Sequence, residues 1–515
     1  MKNKKNHEHT IKHGSALPDS RKLKAERYSR GVTILLVIAF MGVFALIMSS
    51  ITGYVFQQSR YGRALYAREQ SLHIAEAGLE YYRWFLAHNP SIMEAGAGLV
   101  SPYTYTVTDP EGGDIGESVV TATANLQCGV PQWIDVSAKG TAEVNPLFSR
   151  TLSARYMRPS VAEYSNITNA NVWFGSTGVS SGPVHSNGGI RMDGANDSDV
   201  TSPLTTVYCD GSSASLGCNG VSPNPSAGWK DGVFGLGSGS ALWRWGATVP
   251  NVSFPNMALN YDTLKGYAQT SGLYLPYTLS GNTVGGSDQL GYHLVFQADG
   301  TVNVYRVFST VGVWSKHVTD TSTWVTDDHI IASGGEVFVS NYPVPSGCSL
   351  IYSEAKTWIE GTIAGKVTVV AADAGSFTPD IILANNTTYT TADGSVGLTA
   401  VAERSVLIPL NSPDILTIRG IFVALTGYFG RNYYAASGSR AVPSAYTSNV
   451  TQSTLNKFGT VVSTLRPVTR WTSGGVFVSG YNAGTTSYDR VLAFSPPPFT
   501  PTVSTDYGFS LWREQ

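Results

Sequence analysis

No proline interrupts the chain between Pro18 and Pro90, and across that span the hydropathy pattern changes once without stopping. Residues 32–51 are a 20-residue run without a charged side chain, about the length at which a helix crosses the hydrocarbon core of a bilayer. Beyond it Ile51, Val55, Tyr61, Leu65, Leu72, Ala75, Leu79, Tyr82 and Leu86 recur at steps of three or four, or small multiples of them, with Arg60, Arg63, Arg68, Glu69 and Arg83 largely between. This spacing predicts one helix over 32–88, ended by Asn89-Pro90, apolar all round in its first half and along one stripe in its second. The stripe requires a globular partner. The run is too long for the apolar part of a signal peptide, and no small-x-small cleavage site follows it. A plain membrane anchor would need the first half alone.

Charge sets the topology. The chain has 515 residues and a net charge of -2, but its first thirty residues carry nine Lys or Arg against three acids, leaving 25 basic and 33 acidic residues in the rest. By the positive-inside rule a basic leader, 1–31, stays cytoplasmic and everything after the apolar run is exported. A mildly acidic body without a basic stripe argues against nucleic acid as a partner. Charged residues make up 14% of the chain and glycines number 54, the composition of a β-rich surface protein.

Two stretches of the predicted helix carry a resemblance. RGVTILLVIAFMGVFALIMSS (30–50), followed by SLHIAEAGLEYYRW (71–84), resembles the N-terminal segment of PilX-type pilus-assembly proteins, a minor branch of the type IV pilin-like families. The match covers roughly the first ninety residues. It implies cleavage by a prepilin peptidase after Gly31, with Val32 as the new N-terminus, and helix packing through Ala75, Glu76, Ala77, Gly78 and Leu79. The small residues of that element would let another backbone approach closely. Major pilins place a glutamate five residues into the mature helix, where this chain has Leu36. A subunit lacking that carboxylate cannot pair it with a neighbour's terminal amine, so the resemblance implies a tip or accessory position. The implied partners are the inner membrane, other pilin-like subunits and the assembly machinery.

The exported part is expected to be β-rich, giving an α+β fold: a long membrane-inserted helix with a small antiparallel sheet, then a large all-β ectodomain. Within 101–159, alternating runs at 103–108, 118–126, 133–142 and 149–158 predict an antiparallel meander packed on the helical stripe. Over 160–487, brief β-branched runs are punctuated by Gly, Asn or Asp at irregular intervals, and some, such as 367–370 and 381–383, are apolar at neighbouring positions. Strands covered on both sides suit a parallel β-solenoid, with an ordinary β-sandwich as the alternative. An insertion is expected at about 201–342, holding a helix near 257–269 and a hairpin turning at Asp299-Gly300. The Pro-rich end, 488–515, is expected to run along the surface as a cap, with Phe494, Phe499 and Trp512 docking as plugs.

Catalytic chemistry finds little support. Four cysteines occur, none in a CxxC; Cys209 and Cys218 would close a small loop or stay apart, and a bridge from Cys128 to Cys348 follows from arithmetic alone. No metal or cofactor is implied. Asp193, Asp197 and Asp199 offer oxygen enough for calcium, but their spacing is not that of an EF-hand and such runs are ordinarily solvated corners. Glycoside hydrolysis would need two carboxylates facing each other across a groove; Asp320, Asp327, Asp328 and Glu360 are candidates that nothing in the sequence pairs, and His185 and His329 are candidate bases. The reading is a non-catalytic minor pilin-like subunit. The alternatives are a membrane-anchored surface adhesin and an anchored carbohydrate-active β-helix enzyme.

Overall fold

The computed structural model describes residues 26–89, 102–209, 216–218, 227–257, 259–277, 289–373 and 378–515. Most of the basic leader, residues 1–25, lies outside the described residues.

Helix α1 spans Glu26–His88, about 95 Å at 1.5 Å per residue. It starts ahead of the expected position 32, because a glycine such as Gly31 costs only about 1 kcal/mol inside a helix. Its last carbonyls are satisfied locally: Asn89 Nδ2 donates to Phe85 O at 2.8 Å and the Asn89 amide to Leu86 O at 3.2 Å. The stripe is covered along part of its length. Residues 32–63 are exposed throughout, whereas Ala67, Ser71, Ile74, Ala75, Gly78, Leu79, Tyr82 and Leu86 are buried. Ile51, Val55, Tyr61 and Leu65, expected to join the docked stripe, remain 51%, 58%, 60% and 42% exposed. The chain's own sheet reaches no further up the helix than Ala67.

That sheet is built from β1 (Tyr103–Thr108), β2 (Asp114–Gln127), β3 (Val130–Ala142) and β4 (Ser149–Met157), each antiparallel to the next. Alternation along β1 and β3 puts one face on the helix, as a period of two requires. Ala75, Leu79, Tyr82 and Leu86 pack on Val120, Val136, Ala138, Leu152 and Tyr156. A fifth strand, Gly508–Glu514, pairs antiparallel with β4. Residues 508–514 therefore extend this sheet, and Trp512, expected to dock as a plug, stands in its fifth strand instead. Trp512 is 44% exposed, while Phe499 is the aromatic that docks, stacked 5.8 Å from Tyr267.

The rest of the chain is a large all-β region organised as parallel ladders. One runs through Leu273–Leu275, Leu350–Ser353, Lys366–Ala371, Gly397–Ala402, 421–424, 461–463, Asn166–Thr168, Val184–Ser186, Val200–Ser202 and Trp243–Trp245. Its successive partners place Ile351, Val369, Ala400, Phe422 and Val461 in one column facing the main core. The intervening column, with Tyr352, Val370, Val401, Val423 and Val462, faces a second cluster formed with the helix Tyr261–Thr270. Both faces are covered, which is why the runs read as continuous apolar stretches.

The ladder does not follow chain order. The chain enters it in the middle at residue 166, moves outward to 245, crosses to the far end at 273 and returns to its own start, where Val461 pairs with Asn166. Segment 201–342 thus supplies strands to both ends, through Trp243–Trp245 and Leu273–Leu275.

Several ties hold the small sheet to this region. Cys128, at the β2–β3 turn, is disulfide-bonded to Cys348. The Ser349 amide donates to Gln127 Oε1 at 3.1 Å. Finally, residues 495–502 cross between the parts: the Phe499 amide donates to Gln132 Oε1 at 2.9 Å, and Thr368 Oγ1 donates to Pro498 O.

Candidate functional site

Gly31 and Val32 lie within α1 on its exposed part, and a Cβ added at Gly31 would meet nothing within 4 Å. Leu36 is 54% exposed on the same segment. By length and composition, 31–88 contains a stretch able to cross a membrane.

The Ala75–Leu79 element has a definite packing role. A Cβ at Gly140 of β3 would sit 2.1 Å from Ser71 O and 2.4 Å from Ala75 N, and one at Gly78 would sit 2.0 Å from Ser118 Oγ. Ala75, Gly78 and Leu79 therefore let α1 lie directly against the chain's own sheet. Glu76 and Ala77 are half-buried at its edge, and Glu76 lies 3.1 Å from His73 Nδ1. Cys209 and Cys218 are joined by a disulfide, packed with Val207 and Leu216.

A groove of about 770 Å³ opens on the β region. His293, carried by Gly291–Phe296, a strand of the hairpin predicted at Asp299-Gly300, lines it. Glu336, from Glu336–Pro343, lies 2.8 Å from His293 Nδ1, and Glu360, from Lys356–Ile363, lies 3.5 Å from Nε2. Burial opposes charge on this imidazole, but the two carboxylates overcome it and hold its pKa up to about 9. The group is thus an imidazolium at neutral pH. Asn385, Asn411, Asp414, Asn449 and Gln452 supply amide and carboxylate groups along the groove.

A buried polar network supports the wall. Asp327, with 1% side-chain exposure, accepts from Tyr434 Oη at 2.5 Å, Asn432 Nδ2 at 2.9 Å and the His329 amide at 3.0 Å. Burial works against its charge, yet His329 and these donors hold it well below the usual carboxylate range. Trp358 Nε1 donates to His329 O at 2.7 Å. Beneath Ser412 and Asn449, the buried Arg431 guanidinium donates to Ser412 Oγ at 2.6 Å and Leu410 O at 3.0 Å.

Of the residues singled out as candidates for catalysis, His329 and Glu360 line the groove, and Asp327 lies behind it. Asp328 pairs with Lys356 at 2.5 Å. Asp320 caps its own turn through Ser322 and Thr323, whose hydroxyl and amide groups hold its carboxyl low. His185 is hydrogen-bonded at 2.9 Å to Thr201 and at 3.0 Å to Asn187, and burial pushes its pKa down. Asp193 pairs with Arg191 at 2.7 Å, and Asp197 accepts from Ser181 Oγ at 2.5 Å. Among the described residues no group of three or more His, Cys, Asp or Glu is placed to hold a metal ion. Sequence reasoning missed His293 and Glu336: they stand 43 residues apart, and no local pattern joins them.

The His293 cluster makes a pH prediction. Its folded pKa of about 9 exceeds the reference value of 6.5, so its stabilisation is fully present below pH 6.5 and is lost as pH rises through 9. The expected loss is about 3 kcal/mol. Hydrogen exchange of the 291–307 hairpin at pH 6 and pH 9.5 measures it, and His293→Gln should flatten the difference. An unchanged pH dependence in that variant would contradict the assignment.

No family model matches the chain, and no curated protein matches it. Among solved structures, it resembles the crystal structure of the competence-associated pilin ComZ from Thermus thermophilus, with 12% identity, 87% of this chain and 97% of that chain covered, and a TM-score of 0.30. That score is too low to define a shared fold.

Proposed function

We propose that the chain is a non-catalytic, pilin-like subunit of a bacterial type IV pilus-like system, of the PilX-type branch, held in the inner membrane by α1 with its β region exported. One observation carries this reading: the apolar surface of α1 continues past what a membrane needs. Twenty residues from Val32 span the bilayer core, yet Tyr54, Val55, Phe56, Tyr61, Leu65 and Tyr66 are still 42–69% exposed before the helix meets its own sheet at Ala67. A plain anchor for an adhesin has no use for that surface, whereas the helices of neighbouring pilin-like subunits would cover it. The missing carboxylate at Leu36 and the bulk of the β region suit a tip or accessory position. Processing after Gly31 by a prepilin peptidase would leave Val32 as the N-terminus.

The β region is best read as a parallel β-solenoid, supported by the ten-strand ladder and its in-register columns, with residues 490–502 laid along one flank. Both disulfides fit an oxidising, exported location. Glu336 and Glu360 do flank one point in a groove, the geometry an anchored carbohydrate-active enzyme would use. Both, however, are directed at the same imidazolium, which fills the place of a scissile bond. Fractionation of sheared surface filaments, followed by identification of the mature N-terminus, tests the proposal.

A further inference from the structure

A second cavity, of about 400 Å³, opens where the two parts of the ladder meet. Its volume falls in the lower part of the range for small-molecule sites. The residues at this seam break the pattern of the core. Lys457 stands in register between Ile418, a core residue, and Thr486; Asn166 follows Val461 in the column that is otherwise Ile351, Val369, Ala400 and Phe422. Lys457, Arg466 and Arg470 line the cavity together, and no Asp or Glu does.

Arg470 donates to Asn482 O at 3.1 Å. Among the described residues the side chains of Lys457 and Arg466 have no hydrogen-bond or ion-pair partner; Lys457 Nζ lies 5.9 Å from the Phe429 ring. Asn166 Oδ1, buried, also lacks a hydrogen-bond donor. Burial alone pushes Lys457 down to about 8 and Arg466 down to about 10, with no carboxylate offsetting it. A cation standing in the register of a core column without a counterion is costly unless something else supplies the negative charge.

We infer that this cavity binds a small hydroxylated organic anion the size of a single acidic sugar, with Lys457 and Arg466 holding its carboxylate and Asn166 Oδ1 accepting from a hydroxyl. Two cations without a counterion select the charge. The unsatisfied buried acceptor selects a hydroxyl donor, since leaving it unpaired is unfavourable. Trp471, at the cavity wall, gives a ring face or edge against which a sugar can lie. The inference does not depend on whether the chain joins a filament.

Calorimetric titration of the full chain in detergent micelles tests this, with glucuronate, glucose and inorganic phosphate as probes. Glucuronate should bind, glucose should not, and phosphate, which lacks the sugar hydroxyls, should bind at least ten-fold more weakly than glucuronate. Lys457→Met and Arg466→Gln should each weaken glucuronate at least ten-fold. Removing an uncompensated charge should leave the ligand-free thermal midpoint of Lys457→Met equal to the wild type or higher. The inference is overturned if glucuronate fails to bind the wild type at about 10 mM, if glucose binds equally well, or if phosphate binds as tightly as glucuronate. Should a variant fail to fold, the comparison of the three probes on the wild type decides the question by itself.

Discussion

Gly140→Val is expected to release the lower half of α1 from its sheet. The Cβ of any larger residue would fall 2.1 Å from Ser71 O and 2.4 Å from Ala75 N, and both obstructing atoms are helix backbone, which cannot rotate away. The helix would have to lift, taking Leu79, Tyr82 and Leu86 out of the contacts they make with Val120, Val136 and Leu152. Overpacking of this kind costs about 3 kcal/mol or more when the obstacle is rigid. Hydrogen exchange of amides 67–88 in the full chain reads it out, with protection expected to fall roughly 100-fold while the 350–463 ladder keeps its protection. Gly78 offers an internal control. There the obstacle is the Ser118 side chain, at 2.0 Å from the added Cβ, so Gly78→Ala should be milder and Ser118→Gly should rescue it. Equal protection in wild type and Gly140→Val would mean that the helix does not lie against β3 as described.

Loss of the Cys128–Cys348 bridge is the second large effect expected. The two residues are 220 positions apart, and closing a loop of that length is worth about 5 kcal/mol in the chain-entropy account. The variant must respect the turn. Cys128 and Gly129 have φ of 51° and 78° and connect Gln127 to Val130 as a two-residue hairpin loop, which requires positive φ at both positions. Asparagine tolerates that region better than serine, so Cys128→Asn with Cys348→Ser removes the bridge and keeps the turn. Exchange at β2 and β3 should accelerate in this double variant, and treatment of the wild type with reductant should reproduce the change. If neither alters exchange in β2 and β3, the remaining ties through Gln127, Gln132 and residues 495–502 suffice alone.

Legibility in the sequence followed the range of the interactions concerned. The end of α1, the four strands of the meander and the hairpin at Asp299-Gly300 depend on local signals, and each appears within a few residues of its expected place. The helix expected near 257–269 is Tyr261–Thr270, with the Asn260 side chain accepting from the Thr263 amide as its cap. The pairing of Val461 with Asn166 was not legible, because parallel pairing across nearly three hundred residues leaves no period in the chain. For the same reason the return of Gly508–Glu514 to β4 could not be anticipated from its seven residues. The groove around His293 draws on strands from three segments. The one local hint at the seam was a lysine two positions beyond the core residue Leu455, a charge where the alternation of strand Thr451–Ser463 calls for an apolar side chain.

The exposed surface from Tyr54 to Tyr66 separates a pilin-like subunit from a simple anchor, and the filament itself holds the answer. Peptide mass spectrometry of the sheared filament fraction should find this chain there with Val32 as its N-terminus. Absence from that fraction, a chain beginning at Met1, or one cut beyond Ile51 would contradict the account.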